Sequence, residues 1–110
     1  MPKVAELTGP ERMTLLCESF PTLADVPGAC PWDQERFAKW ASGPAPSTAM
    51  RQAAAFVLSV WNGGTPADSS VWFNEAPFHV GVFDPVLAFG LWDQRHADAY
   101  IAWCRRPFWP

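Results

Sequence analysis

Apolar residues recur along this chain with a helical period, and the periodic stretches are preceded by residues that cap helices. In the first, Met13, Leu16, Cys17 and Phe20 stand at i, i+3, i+4 and i+7, one face of an α-helix. Thr8-Gly9-Pro10-Glu11 precedes them with capping-box spacing, and Pro21 ends the helix. The stretch from Pro21 to Pro31, rich in proline, is expected to run over the surface without a regular element.

Asp33 caps a second helix reaching about Ala41, with Trp32 placed to pack on Phe37 as a hydrophobic staple. Glu35 and Lys39 are expected to pair across one turn, worth roughly 0.2 to 0.5 kcal/mol. Gly43 and Pro44 stop this helix, and Ser47 caps a third from Thr48 to about Trp61. Asn62-Gly63-Gly64 then supplies the left-handed backbone on which helices commonly end. In the third helix Ala49, Met50, Ala53, Ala54, Phe56, Val57, Leu58, Val60 and Trp61 sweep a broad apolar arc, leaving a narrow strip of Thr48, Arg51, Gln52 and Ser59. A helix so largely apolar belongs in the middle of a fold.

Asp84-Pro85 starts a short helix through Val86, Leu87 and Phe89 to Gly90. Asp93 starts the last, in which His96, Ala97, Tyr100, Ile101, Trp103 and Cys104 share one face. Gln94, Arg95, Asp98, Arg105 and Arg106 share the other, the two arginines lying where the helix dipole favours cations, before Pro107. Between Gly64 and Asp84 no clean period appears; Thr65-Pro66-Ala67-Asp68 predicts a short helix to Phe73, in preference to an extended Val71-Trp72-Phe73. The pattern predicts an all-α fold: a single compact domain of four to five short helices around the central hydrophobic helix.

Composition narrows the function. The 110-residue chain is 49% apolar and 17% charged, which suits one globule and excludes a disordered chain. A net charge of −3 with two lysines, Lys3 and Lys39, leaves no cluster for a phosphate backbone, so nucleic acid is not an expected partner. No apolar run reaches the roughly 18 residues of a membrane helix, and the N-terminus lacks a signal-peptide core, so a cytoplasmic product is expected. Cys17, Cys30 and Cys104, odd in number and scattered, are expected as buried reduced thiols.

Trp-Asp-Gln occurs twice, at Trp32-Asp33-Gln34 and Trp92-Asp93-Gln94. A Trp-Asp dipeptide also marks propeller blades, but these recur at about 40 to 45 residues among strands, and helix capping explains both copies here. His96 and Cys104 share a face with Asp93 one turn earlier, a nucleophile, base and orienter in composition. Eight residues of helix span about 12 Å, however, far beyond the roughly 3 Å of direct proton transfer. A buried His96 hydrogen-bonded to a neighbour is the expected role. Zinc would need close Cys or His pairs; none occurs, leaving only a scattered set of Cys17, Cys30, His79 and Cys104, so no metal is expected. No nucleotide-binding loop is present, and no cofactor is expected.

Seven tryptophans and eight phenylalanines are a large aromatic supply for a globule of this size, and interfaces use such residues as anchors. The expected function is a small soluble protein-interaction module: a regulator, adaptor or inhibitor that binds another protein or a second copy of itself. Its candidate contact residues are Trp72, Phe73, Glu75, Phe78 and His79, with Phe108 and Trp109 at the C-terminus. In the opposing reading the aromatics of both groups fold back on the core, with Glu75 and His79 in water. An enzyme or ligand-binding protein with a pocket among Trp72, Glu75, His79 and His96 is the alternative from another class. A mobile-element inhibitor of host defence acting by protein contact is the second alternative.

Overall fold

The computed structural model describes residues 7–63 and 83–110. These residues form helices and no strand: α1 (Gly9–Ser19), α2 (Gln34–Ser42), α3 (Thr48–Trp61), α4 (Pro85–Leu91) and α5 (Gln94–Arg105). The fold is all-α. Every described helix opens on the side chain expected to cap it. Thr8 Oγ1 accepts from Glu11 N at 3.3 Å while Glu11 Oε1 accepts from Thr8 N at 3.2 Å, closing the capping box. Asp33 accepts from Arg36 N, Ser47 from Met50 N, Asp84 from Val86 N and Leu87 N, and Asp93 from His96 N, all between 3.0 and 3.3 Å. The staple forms too, with the Trp32 and Phe37 rings 5.0 Å apart.

The central helix is α3, in which Ala53 to Leu58 and Val60 are all buried. Its polar strip is not simply solvated. Arg51 donates from Nε to Ala41 O at 3.1 Å and from Nη2 to Gly43 O at 2.8 Å, satisfying carbonyls that the end of α2 leaves without helical partners. Gln52 Oε1 accepts from Asp84 N at 2.8 Å and ties the start of α4 to the same helix. Trp92, between α4 and α5, donates from Nε1 to Ala49 O at 3.0 Å. Rings then fill the space between α3 and α5: Phe56 meets Tyr100 edge-on at 5.0 Å and Trp103 at 5.2 Å.

Several expectations are corrected. The stretch from Pro21 to Pro31 contains no helix, but it is not a surface excursion. Leu23 and Ala29 are buried, Thr14 Oγ1 donates to Ala29 O at 2.8 Å, and Gly28 lies against the start of α2. Gly28 has φ +81°, and a β-carbon there would overlap Phe37 N and Asp33 O, so this turn requires glycine. On α5 the buried positions are His96 and Ala99, whereas Ile101 is 37% exposed and Cys104 is also exposed. The face is set by the rings of Phe20 and Phe56, which take up His96, Tyr100 and Trp103 and leave the next positions round in water. Of the cysteines only Cys17 is buried; Cys30 and Cys104 are exposed. Glu35 and Lys39 form no ion pair. The short helix expected from Thr65 to Phe73 lies outside the described residues.

Candidate functional site

Two contacts set the relative direction of α1 and α5. Thr22, just past the end of α1, bonds His96 in the first turn of α5, while Pro110, past the end of α5, packs on Gly9 at the start of α1. The helices therefore run antiparallel, and a groove of about 590 Å³, open to solvent, lies between them. From α1 it is lined by Arg12, Leu15, Leu16 and Ser19, at i, i+3, i+4 and i+7. From α5 it is lined by Ala99, Ala102 and Trp103, and by Arg106 that caps its end, at the same spacing. Phe108 completes the wall. Because the helices are antiparallel, Arg12 and Arg106 fall at one end, and Ser19 and Ala99 at the other. Among the described residues no acidic side chain lines the groove.

The groove exists because α1 presents more than its core stripe. Met13, Leu16 and Cys17 are buried, and Leu15, one step round, stays 45% exposed. On α5, Ala99 and Ala102 are too small to fill the gap between the helices. The indole N–H of Trp103 is buried with no acceptor among the described residues, and buried donors normally have one. Trp109 lies edge-on to Trp103 at 5.2 Å and is 52% exposed. Of the contact residues named from the sequence, the structure thus brings Phe108 to the groove and Trp109 to its neighbour Trp103. Trp72, Phe73, Glu75, Phe78 and His79 lie outside the described residues.

A second constellation surrounds His96. Its Nδ1 lies 2.7 Å from Asp93 Oδ1 and its Nε2 lies 2.8 Å from Thr22 Oγ1. In the neutral ring, Nδ1–H donates to the carboxylate and Nε2 accepts the threonine proton, an arrangement able to withdraw a proton from Thr22. Acyl transfer would also need donors preorganised for an oxyanion. The amide that follows Thr22, Leu23 N, already donates to Phe20 O at 3.0 Å. What the chain of bonds does is join the loop after α1 to the start of α5, with the imidazole packed against Phe20 and Trp92. The role expected for His96, buried and hydrogen-bonded, is the one observed.

Among the described residues no group of three His, Cys, Asp or Glu side chains could hold a metal ion. His79 of the scattered zinc set lies outside them. No described helix is long and apolar enough to cross a membrane. On α4 only Ala88 is buried; Val86 is 86% exposed, Leu87, Phe89 and Leu91 are partly exposed, and the Phe89 ring meets Trp92 and Tyr100 edge-on. No protein-family model, curated protein or solved structure matches this chain.

Sequence reasoning did not single out Arg12, Leu15, Ser19, Ala99 or Ala102 as site residues, and read Arg106 only for its place at the helix end. The available signal was a second i, i+3, i+4, i+7 stripe on each of two helices, both carrying an arginine.

Proposed function

We propose that this protein is a small interaction module that acts by binding another protein, and that the groove between α1 and α5 is its docking surface. The observation that supports this reading is the groove itself, apolar between its polar ends, about 590 Å³ in volume and walled by two helices that leave Leu15 half-exposed. Small-molecule sites enclose most of their ligand, about 70–90% of its surface, which a groove open along one side does not do. Grooves between helices are a recurrent seat for partner segments, and exposed apolar surface of this kind marks contact sites.

A photoreactive benzophenone amino acid in place of Ala102 tests the reading, with the same group at Glu35 on the outer face of α2 as control. The expected result is a cross-linked species from the Ala102 position that disappears when Leu15→Glu is added. A species of twice the chain mass would make the partner a second copy. Equal yield from both positions, or none from either, overturns the reading.

A further inference from the structure

Away from the groove, we infer that Thr22 is a nucleophilic hydroxyl armed by His96 and Asp93, a modification site that accepts an acyl group from an activated donor such as an aryl ester or a thioester. Three groups from two distant segments meet in sequence. Asp93 Oδ1 lies 2.7 Å from His96 Nδ1, and His96 Nε2 lies 2.8 Å from Thr22 Oγ1. An ionised carboxylate can only accept, so the proton of a neutral His96 ring sits on Nδ1. The lone pair of Nε2 then faces Thr22, whose hydroxyl is the donor. This is the order of orienter, base and nucleophile that activates hydroxyls, with the base in direct reach of the proton it removes.

The surroundings suit each role. His96 is buried, and its ring is held against Phe20 at 6.1 Å and Trp92 at 6.3 Å, which keeps the imidazole aimed. Asp93 is fixed in turn by the bond it accepts from His96 N at 3.0 Å. Thr22 itself is exposed in the turn after α1, within reach of a donor molecule. Leu23 N is engaged with Phe20 O and does not serve an oxyanion, so the reaction is confined to donors whose leaving group departs readily. In the step itself Thr22 Oγ1 bonds to the acyl carbon as its proton passes to His96 Nε2, and Asp93 stabilises the imidazolium that forms. The adduct then collapses. The bond from the acyl carbon to the leaving group breaks, and the leaving group departs with that electron pair and takes the proton from Nε2. The products are a Thr22 ester and a free phenol or thiol, with nothing oxidised or reduced.

The test treats the full chain with p-nitrophenyl acetate, quenches in acid and reads intact mass and a peptide map. Thr22 is expected to take up acetyl about a hundredfold faster or more than Thr48, an exposed threonine at the start of α3, since a positioned base supplies roughly 10²–10⁴-fold. Thr22→Val keeps the shape of the side chain and is expected to abolish the adduct at this position. His96→Gln should slow Thr22 acetylation by about a hundredfold. Asp93→Asn keeps a capping oxygen but frees the ring to take the other tautomer, and should slow it at least about tenfold. Circular dichroism checks the fold of each variant; should His96→Gln fail to fold, Asp93→Asn and Thr22→Val carry the test. Thr22 acetylated no faster than Thr48, a rate untouched by Asp93→Asn, or an acetyl group on His96 in place of Thr22 overturns the inference. A bond chain that only joins the two segments gives the first of these results.

Discussion

At Asp93 a single carboxylate oxygen accepts from His96 N at 3.0 Å and lies 2.7 Å from His96 Nδ1. These bonds, the side-chain one first, hold the carboxyl below its ordinary 3.8. A carboxylate whose folded pKa is depressed contributes stability above its unfolded value and loses it as pH falls through the folded one. Asp93→Asn keeps a capping oxygen and removes the charge. The wild type should therefore melt higher than Asp93→Asn at neutral pH, with the gap closing below about pH 4, as thermal melts across pH would show. Asp33→Ala removes a cap without a second role and should cost about 1 kcal/mol in urea titration. At Gly28 the cost is of another kind. Alanine would be forced into the left-handed region, about 1–2 kcal/mol before any steric term, and its β-carbon would also meet the backbone of α2. Gly28→Ala should destabilise more than Asp33→Ala in the same titration. The caps were legible because each acts within three residues. Gly28 was not, because its partner is the start of another helix.

Helix starts and lengths followed from local pattern, since capping and apolar period are short-range properties. The phase of α5 did not, because its wheel admits more than one apolar face. Packing chose the face of His96, Ala99, Tyr100 and Trp103 over that of Ile101 and Cys104. The polar strip of α3 shows the same limit. Arg51 and Gln52 were readable as polar, but their partners Ala41, Gly43 and Asp84 lie on other elements. Trp92 belongs with them. Its ring stacks on Phe83 at 5.8 Å and its N–H bonds Ala49 O, so Trp92→Phe should keep most of the packing and lose the bond. A loss of about 0.5–1.5 kcal/mol is expected from chemical denaturation, and no change would mean the bond adds nothing to stability.

Across the molecule, the thiols report how the chain closes. Cys17 is buried, and burial pushes its pKa up to about 12, so it stays protonated and out of reach at neutral pH. A chromogenic disulfide reagent should modify Cys30 and Cys104 in the native protein and reach Cys17 only after denaturant is added; native reaction of all three would contradict the burial. The candidate site was legible only in part. Phe108 was chosen from the sequence for its aromatic ring, but the groove it closes needs α1 and α5 side by side, and neither stripe points to the other helix. By itself the sequence determined the all-α class, the cap that opens each described helix and the central place of α3, because these depend on propensity and period within a few residues. Tertiary structure alone decided the phase of α5, the burial of Leu23 and the antiparallel pairing that leaves a groove between α1 and α5. Those depend on which surfaces of distant segments meet, and many short-range patterns are compatible with more than one such meeting.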